Sequence, residues 1–152
     1  MDATIRVARD DDADRIARIH TADGGEAELI GGIGAAISEG RCVVAATGDR
    51  VVGFVVLARQ HFFGRDFVVL LAVDRERRRA GLGRALMRAS VEAASTGRVF
   101  SSTNESNTPM RALFAAEGWS VSGTLDGLDP GDPEIVFFVD RTRTQQRRPA
   151  PT

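Results

Sequence analysis

The hydrophobic and polar positions of the chain alternate between strand-like and helix-like patterns. Apolar or period-two runs predict strands, and they fall at residues 4–8, 41–47, 50–58, 67–73, 99–103, 119–125 and 134–139. Helical spacing of apolar residues predicts one helix that opens at Asp10 and three more at residues 26–39, 81–94 and 109–117. The order of these segments predicts an α/β fold built on a mixed sheet, with at least one parallel crossover.

Three stretches carry sharper local predictions. The second and third strands flank Gly48-Asp49, a pair typical of a tight hairpin turn. The continuous apolar run at residues 67–73 indicates a strand that is buried on both faces. The stretch QHFFGRD before it, which includes His61, is predicted to be a turn.

The composition excludes several kinds of chemistry. Of the 152 residues, 20 are basic and all of these are arginine, and the chain has no tyrosine. Lysine Schiff-base chemistry, a lysine phosphate anchor and a tyrosine proton donor are therefore excluded. The length and the 43% of apolar residues are those of an ordinary globular protein, and we expect a single domain over residues 1–140.

Charge is unevenly distributed along the chain. Residues 141–152 hold four arginines and no acid, which leaves 16 arginines against 21 acids, a formal net charge of −5, for residues 1–140. Because an acidic body repels a phosphate backbone, we expect no nucleic acid partner. The basic segment 141–152 is predicted to be a disordered C-terminal tail.

Cysteine content and the length of the apolar runs bear on location. The single cysteine, Cys42, cannot form an intramolecular disulfide, and the first residues lack the long apolar segment of an export signal. No stretch approaches the length of about 18 apolar residues that spans a bilayer. We therefore expect a cytoplasmic protein with no membrane partner, and we predict no metal site.

Residues 75–84 (RERRRAGLGR) break a rule of helix chemistry. Five of the ten are arginines that lie before and inside a predicted helix start, where each positive charge is unfavourable by about 0.3–1 kcal/mol. A bound anion such as a pyrophosphate would remove this conflict, because first-turn N–H groups point outward and Gly81 and Gly83 let a ligand approach the backbone. A solvated surface loop is the alternative. The spacing differs from the dinucleotide fingerprint, since position 86 is Leu86.

Two motifs together resemble a known family. Leu71-Ala72-Val73 and then Arg78-Arg79-Ala80-Gly81-Leu82-Gly83 at a helix start are similar to the acetyl-coenzyme A (acetyl-CoA) motif of the GNAT superfamily of N-acetyltransferases, (Arg or Gln)-x-x-Gly-x-(Gly or Ala). Asn107, Leu113-Phe114 and Gly118-Trp119 resemble its Asn, Leu-Tyr and Gly-Phe pattern. The resemblance covers roughly residues 3–140. It implies the GNAT fold, a central mixed sheet of about seven strands flanked by about four helices.

The resemblance also implies a site for acetyl-CoA as cosubstrate. Backbone groups of Leu71 and Val73 would pair with the pantetheine arm, and an N–H near Val73 would polarise the thioester carbonyl. Asn107 and Phe114 would line the pantetheine and thioester end. The pyrophosphate would be held by a run of consecutive residues, which are Arg78, Arg79, Ala80, Gly81, Leu82, Gly83 and Arg84.

Departures from the family leave the proton transfers open. The superfamily's usual proton donor to the leaving thiolate is a tyrosine at the position of Phe114. Since a thiol of pKa about 8.5 can leave as thiolate, water, Thr108 or Ser106 would suffice. The acidic residue that some members place early in the central strand is also absent, because that position is Phe67.

An amine acceptor must lose a proton, so a carboxylate or histidine is expected near the thioester. Glu105, in the loop after the strand at residues 99–103, and Glu134, at the start of the last strand, are the catalytic candidates. His61 is a third, whereas His20 is expected to be structural.

The acidic turn before the last strand has two interpretations. Asp126, Asp129, Asp132 and Glu134 lie among Pro and Gly residues, which favours a solvated hairpin loop. The resemblance instead implies that this loop faces the acceptor, where its acids would attract a cationic substrate. Cys42 opens a strand and is expected to be a buried structural residue rather than a nucleophile.

Two functions of different classes follow from these observations. The first is an N-acetyltransferase that moves the acetyl group of acetyl-CoA to a primary amine of an unidentified acceptor, such as a cationic small molecule, by direct attack in a ternary complex. The alternative is an acyl-CoA-binding or sensing module with little or no turnover, because Phe114 stands where the superfamily usually has its tyrosine proton donor. A protein without any nucleotide site is a third interpretation. Edge strands pair in many members of the superfamily, so the resemblance also allows a homodimer.

Overall fold

The computed structural model describes residues 2–26 and 30–142. Its strands are β1 (Thr4–Val7), β2 (Cys42–Thr47), β3 (Arg50–Phe62), β4 (Arg65–Val73), β5 (Arg98–Asn104), β6 (Ser120–Leu125) and β7 (Glu134–Asp140). The α-helices of the described residues are α1 (Ala13–Ala22), α2 (Ile30–Ser38), α3 (Leu82–Ala93) and α4 (Thr108–Ala116). The strands form one sheet in the order β1-β2-β3-β4-β5-β7-β6, which confirms the predicted mixed sheet of seven strands with four helices.

The described residues form two compact units. The first unit takes in the residues up to Ala58 together with Val69–Ser90, and the second takes in Arg59–Val68 together with the residues from Val91 onward. Strands β3 and β4 and helix α3 therefore contribute residues to both units. The single domain over residues 1–140 stays a prediction.

In the first unit, antiparallel strands carry two helices. β1 pairs with β2, and β2 pairs with β3 through the hairpin predicted at Gly48, whose φ of 60° is the left-handed conformation that such turns require. Ile16 and Ile19 of α1 and Ile33 of α2 are buried in a core with Phe54 of β3. Each buried side chain of this size contributes roughly 1.5–3 kcal/mol, and together they hold both helices on the sheet.

Helix α1 begins where its acidic sequence predicts. A short 3-10 turn, Asp10–Asp12, leads into it, and the Asp12 carboxylate accepts the Arg9 N–H at 2.7 Å and pairs with Arg6 at 2.7 Å. The hydrogen bond from Arg6 lowers the pKa of Asp12. The charged Asp12 carboxylate is therefore stabilised by local hydrogen-bond donors as well as by the dipole of α1.

In the second unit, the sheet is both parallel and antiparallel. β4 runs parallel to β5, whereas β7 pairs antiparallel with β5 and with β6. Because α3 joins β4 to β5, the predicted parallel crossover is confirmed. Phe114 of α4 is 0% exposed and stacks on Phe137 of β7 with ring centroids 4.3 Å apart, and Trp119 packs beside it.

The predicted turn around His61 is wrong in its extent. β3 continues to Phe62, so His61 lies in a strand and the turn is confined to Phe63 and Gly64. Arg59, Gln60 and His61 of β3 are solvent-exposed. Polar side chains are therefore tolerated there, and the sequence lacks the apolar signal of a strand.

The prediction that the apolar strand is buried on both faces is also wrong. In β4, Val68 and Ala72 are buried, but Val69 is 39% exposed and Leu71 and Val73 are half-buried. Val69, Leu71 and Val73 are thus partly accessible to solvent. Two of them, Leu71 and Val73, are the residues expected to meet the pantetheine arm.

Two predicted segments extend beyond the described residues. Arg141, the first residue of the predicted tail, donates its N–H to the Gly97 carbonyl at 2.9 Å and its guanidinium to the Glu92 carbonyl at 2.7 Å, so the chain is still ordered there. Residues 143–152, where the tail is predicted to be disordered, and residues 27–29, near the predicted start of the second helix, lie outside the described residues. In the part that is described, no helix is long and apolar enough to cross a membrane.

Candidate functional site

The segment that joins β4 to α3 ends at an open helix N-terminus in the first unit. Arg79 has φ 64° and Gly81 has φ 78°, and the Ala85 N–H donates to the Gly81 carbonyl at 3.1 Å. This is the first α-helical hydrogen bond, so the N–H groups of Leu82 and Gly83 precede it and have no acceptor within the helix. A left-handed arginine costs about 1 kcal/mol or more, which is the kind of strain found at ligand sites.

Space lies in front of this helix start. No heavy atom lies within 4 Å of the position that a Cβ on Gly81 would take. A ligand can therefore approach the backbone here, where the helix dipole and free N–H groups favour an anion. Arg79, Ala80, Gly81, Leu82, Gly83 and Arg84, which the resemblance assigns to the pyrophosphate, all lie in this part of the first unit, and their role stays a prediction.

The arginines of this segment do not all face one way. Arg75 donates to the Ala22 carbonyl at the end of α1 at 2.8 Å. Arg78 donates to the Val73 carbonyl at 3.2 Å and also pairs with Asp23, which follows α1. These two side chains therefore attach the segment to α1 and to the end of β4. Asp74, which begins the segment, is held in turn by Arg15 at 2.5 Å.

A cleft of about 180 Å³ lies beside this segment in the first unit. Its walls come from α1 and the residue after it, and from the end of β4 and the residues that follow, and they include Ile19, Ala22, Asp23, Val73 and Arg78. Val73, which the resemblance places at the thioester, thus borders an open space that Arg78 also lines. Leu71, two residues earlier in β4, is half-buried.

The second unit brings the two candidate carboxylates to one end of the β5–β7 pair. Asn104 of β5 is the register partner of Glu134 in β7, and the Glu105 N–H donates to the Pro133 carbonyl at 2.8 Å. Glu134 is half-buried and Glu105 is exposed. Two residues that are 29 positions apart in the sequence therefore have neighbouring backbones in the structure.

The acidic turn is held by neutral donors. Ser106 donates its hydroxyl to Asp132 at 2.6 Å and its N–H at 3.0 Å, and the Asn104 amide donates to Asp129 at 2.8 Å. These bonds shape the loop, as the structural interpretation requires. They bring no positive charge, so residues 126–134, which contain four acids and no arginine, remain strongly negative.

Asn107 and Phe114 have clear structural roles in the second unit. The Asn107 side chain accepts the Met110 N–H at 3.2 Å and so caps the N-terminus of α4. Phe114 lies in the core with Phe137 and Trp119. Asn107 is exposed, whereas the Phe114 ring has no solvent-accessible surface.

The cysteine and the two histidines differ in burial. Cys42 is 0% exposed, and burial raises the pKa of its thiol to about 12. His20 is buried, and its Nε2–H donates to the Glu26 carbonyl at 3.0 Å. His61 is exposed in β3. Among the described residues, no group of three or more His, Cys, Asp or Glu side chains could hold a metal ion.

Asp23 is the residue of this region that sequence reasoning did not single out. Its partner Arg78 lies 55 positions away, and the stretch around Asp23 contains no motif. Only the packing of the end of α1 beside the β4–α3 segment brings the two side chains together, and no local pattern could have predicted it.

Comparison with known proteins agrees with this geometry. The model of the acetyltransferase (GNAT) family matches residues 5–119, which contain both motifs. An acetyltransferase of the GNAT family from Bacillus cereus is 35% identical, with a TM-score of 0.85 over 91% of this chain and 96% of that one.

More distant structures share the fold. A ribosomal-protein-alanine N-acetyltransferase from Brucella melitensis is 19% identical, with a TM-score of 0.74 over 90% of this chain and 99% of that one. The protein yncA from Salmonella typhimurium, solved with its cofactor acetyl-CoA, is 16% identical, with a TM-score of 0.76 over 100% of this chain and 99% of that one. None of the curated proteins compared matches the chain.

Proposed function

Because the chain belongs to the GNAT family of acetyltransferases, which use acetyl-CoA, we propose that it acetylates a primary amine of a cationic acceptor. Acetyl-CoA, when bound, supplies the acetyl thioester. Attack by the amine nitrogen forms the amide bond, the carbon–sulfur bond breaks, and the amine's proton passes to a carboxylate or to water. The observation that carries the proposal is the open helix N-terminus behind Gly81, which suits the phosphates of this donor.

Direct attack in a ternary complex is favoured by the state of the only thiol. A ping-pong route needs a nucleophile on the enzyme, and a cysteine acts as one only when its thiolate is accessible. Cys42 is fully buried, and burial raises the pKa of its thiol to about 12. The chain has no other cysteine. We therefore expect the acetyl group to pass to the amine in one step.

The thiolate leaves without a tyrosine acid, and this has a consequence for the pH profile. A tyrosine donor, of pKa about 10, would make kcat fall as it ionises. This chain has no tyrosine and no lysine, and the pKa of Cys42 is raised to about 12. At saturating substrates, kcat is expected to show no falling limb between about pH 8 and pH 10. A falling limb in that range would contradict the absence of a protein acid.

The carboxylates at the end of the β5–β7 pair are the proposed proton acceptors. Glu134 is the more shielded of the two, and Glu105 lies at the same end of the strand pair. We expect Glu134→Gln to lower kcat/KM for the amine about tenfold at pH 7, because Glu105 and water replace it only in part. The loss should shrink towards pH 9, where the solvent itself supplies neutral amine. Profiles of kcat/KM against pH for E134Q and E105Q test this, and an equal loss at both pH values would refute it.

The acidic turn supports a cationic acceptor. Its acids accept hydrogen bonds from uncharged donors and no arginine lies among residues 126–134, and a surface of one sign raises the local concentration of oppositely charged substrates. Neutral and anionic amines are expected to be poorer acceptors than polycationic ones. Raising the ionic strength should reduce this preference, because exposed charges are screened.

An acyl-CoA-binding module remains the second candidate, and Phe114 is the observation that favours it. Both functions predict that CoA raises the melting temperature. Mass spectrometry of amines incubated with protein and acetyl-CoA separates them, since an enzyme yields an acetylated amine and a binder yields none. A product that carries an ester would contradict N-acetylation.

The cytoplasmic location and the homodimer stay predictions, which cell fractionation and sedimentation would test.

A further inference from the structure

The Arg78 side chain occupies a specific place at the end of β4. Its Nε donates to the Val73 carbonyl at 3.2 Å, and its terminal nitrogen pairs with the Asp23 carboxylate. Both contacts lie within the first unit and both line the cleft described above. Because Asp23 neutralises the guanidinium, the side chain offers little net charge to a phosphate.

The peptide group between Val73 and Asp74 is held from two sides. Its N–H, which belongs to Asp74, donates to the Val52 carbonyl of β3 at 2.8 Å. Its carbonyl, which belongs to Val73, accepts from Arg78. Asp74 is fixed further by Arg15 at 2.5 Å. Loss of the Arg78 bond would free one side of a peptide that sets the orientation of Val73.

We propose that Arg78 is a positioning residue that acts on acetyl transfer by fixing the Val73 peptide, and that it is not a phosphate ligand. The proposal rests on the proposed function, in which Val73 lies at the thioester. The Asp74 N–H is bonded to Val52, so the N–H that would face a developing oxyanion is that of Val73 itself, and its contribution depends on how the residue is oriented before the reaction. The guanidinium supplies this alignment through a hydrogen bond, so the bond should matter more than the charge.

A comparison of two substitutions separates the hydrogen bond from the charge. Arg78→Gln removes the charge but keeps an N–H donor at about the position of the Arg78 Nε, whereas Arg78→Met has about the length of the Gln side chain and no donor. Arg98→Met is the matched control, because Arg98 forms an ion pair with Asp140 of similar exposure, 50% and 40% against 47% and 38% for Arg78 and Asp23. Arg98 has no part in the proposed site.

Each variant is assayed with two acetyl donors, acetyl-CoA and S-acetyl-pantetheine, which has no phosphate. Arg78→Met is expected to lower kcat about fivefold with both donors, and Arg78→Gln to retain most of the wild-type kcat. A loss confined to acetyl-CoA and seen mainly in KM would overturn the proposal, because that is the pattern of a phosphate ligand. Equal losses in R78Q and R78M would overturn it as well.

Hydrogen exchange gives a readout that does not depend on turnover. The Asp74 amide, which bonds to the Val52 carbonyl, is expected to exchange about fivefold faster in R78M than in wild type, and at the wild-type rate in R78Q and R98M. Unchanged exchange in R78M would refute the positioning role even if the protein released no CoA. If the proposed function fails instead, the variants still show the expected exchange pattern, but the wild-type protein has no turnover.

Discussion

Replacing Gly81 by valine is expected to raise the KM for acetyl-CoA about thirtyfold, equivalent to about 2 kcal/mol, with a smaller change in kcat. Gly81 has φ 78°, a conformation that a β-branched residue adopts only under strain. No atom near the Cβ position opposes the new side chain, so the strain must be relieved by turning the backbone. That movement would redirect the first-turn N–H groups of α3 away from the phosphates.

Gly48→Val is the matched control for this prediction. Gly48 has φ 60° and equally open space around its Cβ position, but it lies in the β2–β3 turn. Both variants should lose similar stability, because the backbone strain is the same. Only the Gly81 variant should lose affinity for acetyl-CoA, as measured by initial rates and by the shift of melting temperature with CoA. Equal KM values in the two variants would contradict the assignment of the phosphate site.

Replacing Asp66 by alanine is expected to lower the free energy of unfolding by about 4 kcal/mol. The carboxylate is 0% exposed and accepts the Ser95 N–H at 2.6 Å, the Gln60 N–H at 2.8 Å and the Ser95 hydroxyl at 3.0 Å. A hydrogen bond to a charged acceptor contributes about 1.5–3 kcal/mol, and all three of these bonds are lost in the variant. Asp66 thereby ties the start of β4 to the loop between α3 and β5.

Asp140→Ala is the control for Asp66→Ala. Asp140 pairs with Arg98 at 2.9 Å, but its side chain is 40% exposed. Exposed pairs contribute less than about 1 kcal/mol. Urea denaturation of the two variants should therefore give clearly different midpoints, and losses of the same size would refute the structural role of Asp66.

The contribution of Asp66 depends on pH in a definite direction. Burial alone raises the pKa of this carboxyl, but hydrogen bonds from the Ser95 and Gln60 amides and the Ser95 hydroxyl outweigh it, so the pKa in the folded protein is lowered. The stabilisation is present above the unfolded pKa of about 3.9 and is lost as the pH falls through the lower folded value. The difference in stability between wild type and D66A should be constant above about pH 5 and decrease below about pH 4.

Much of the fold could be predicted because its signals are local. The Gly48-Asp49 pair predicts the first hairpin, and the acids after Asp10 predict the start of α1; both predictions are confirmed. The apolar spacing over residues 81–94 predicts the third helix, and α3 (Leu82–Ala93) confirms it. Each of these features is set by a few neighbouring residues, whose conformational preferences act without help from the rest of the chain.

The predictions that are wrong involve residues whose environment is set by distant parts of the chain. The exposed end of β3 carries polar residues and resembles a turn, because solvent rather than a core lies against it. Val69 is exposed within an apolar run, and the run alone does not show which of its faces is covered. The pairing of Arg78 with Asp23 and the burial of Asp66 arise from packing between segments. The sequence therefore predicts positive charge in the segment before α3 but not the partner of each arginine.

The central claim is that the protein transfers the acetyl group of acetyl-CoA to an amine. The most direct measurement is the release of free CoA thiol, followed with a thiol reagent while a panel of cationic, neutral and anionic amines is added to protein and acetyl-CoA. We predict thiol release that depends on added amine, is fastest with a cationic acceptor and matches the acetylated amine in amount. CoA-dependent protection against heat without amine-dependent thiol release across the panel would contradict the claim and assign the chain to the binding class.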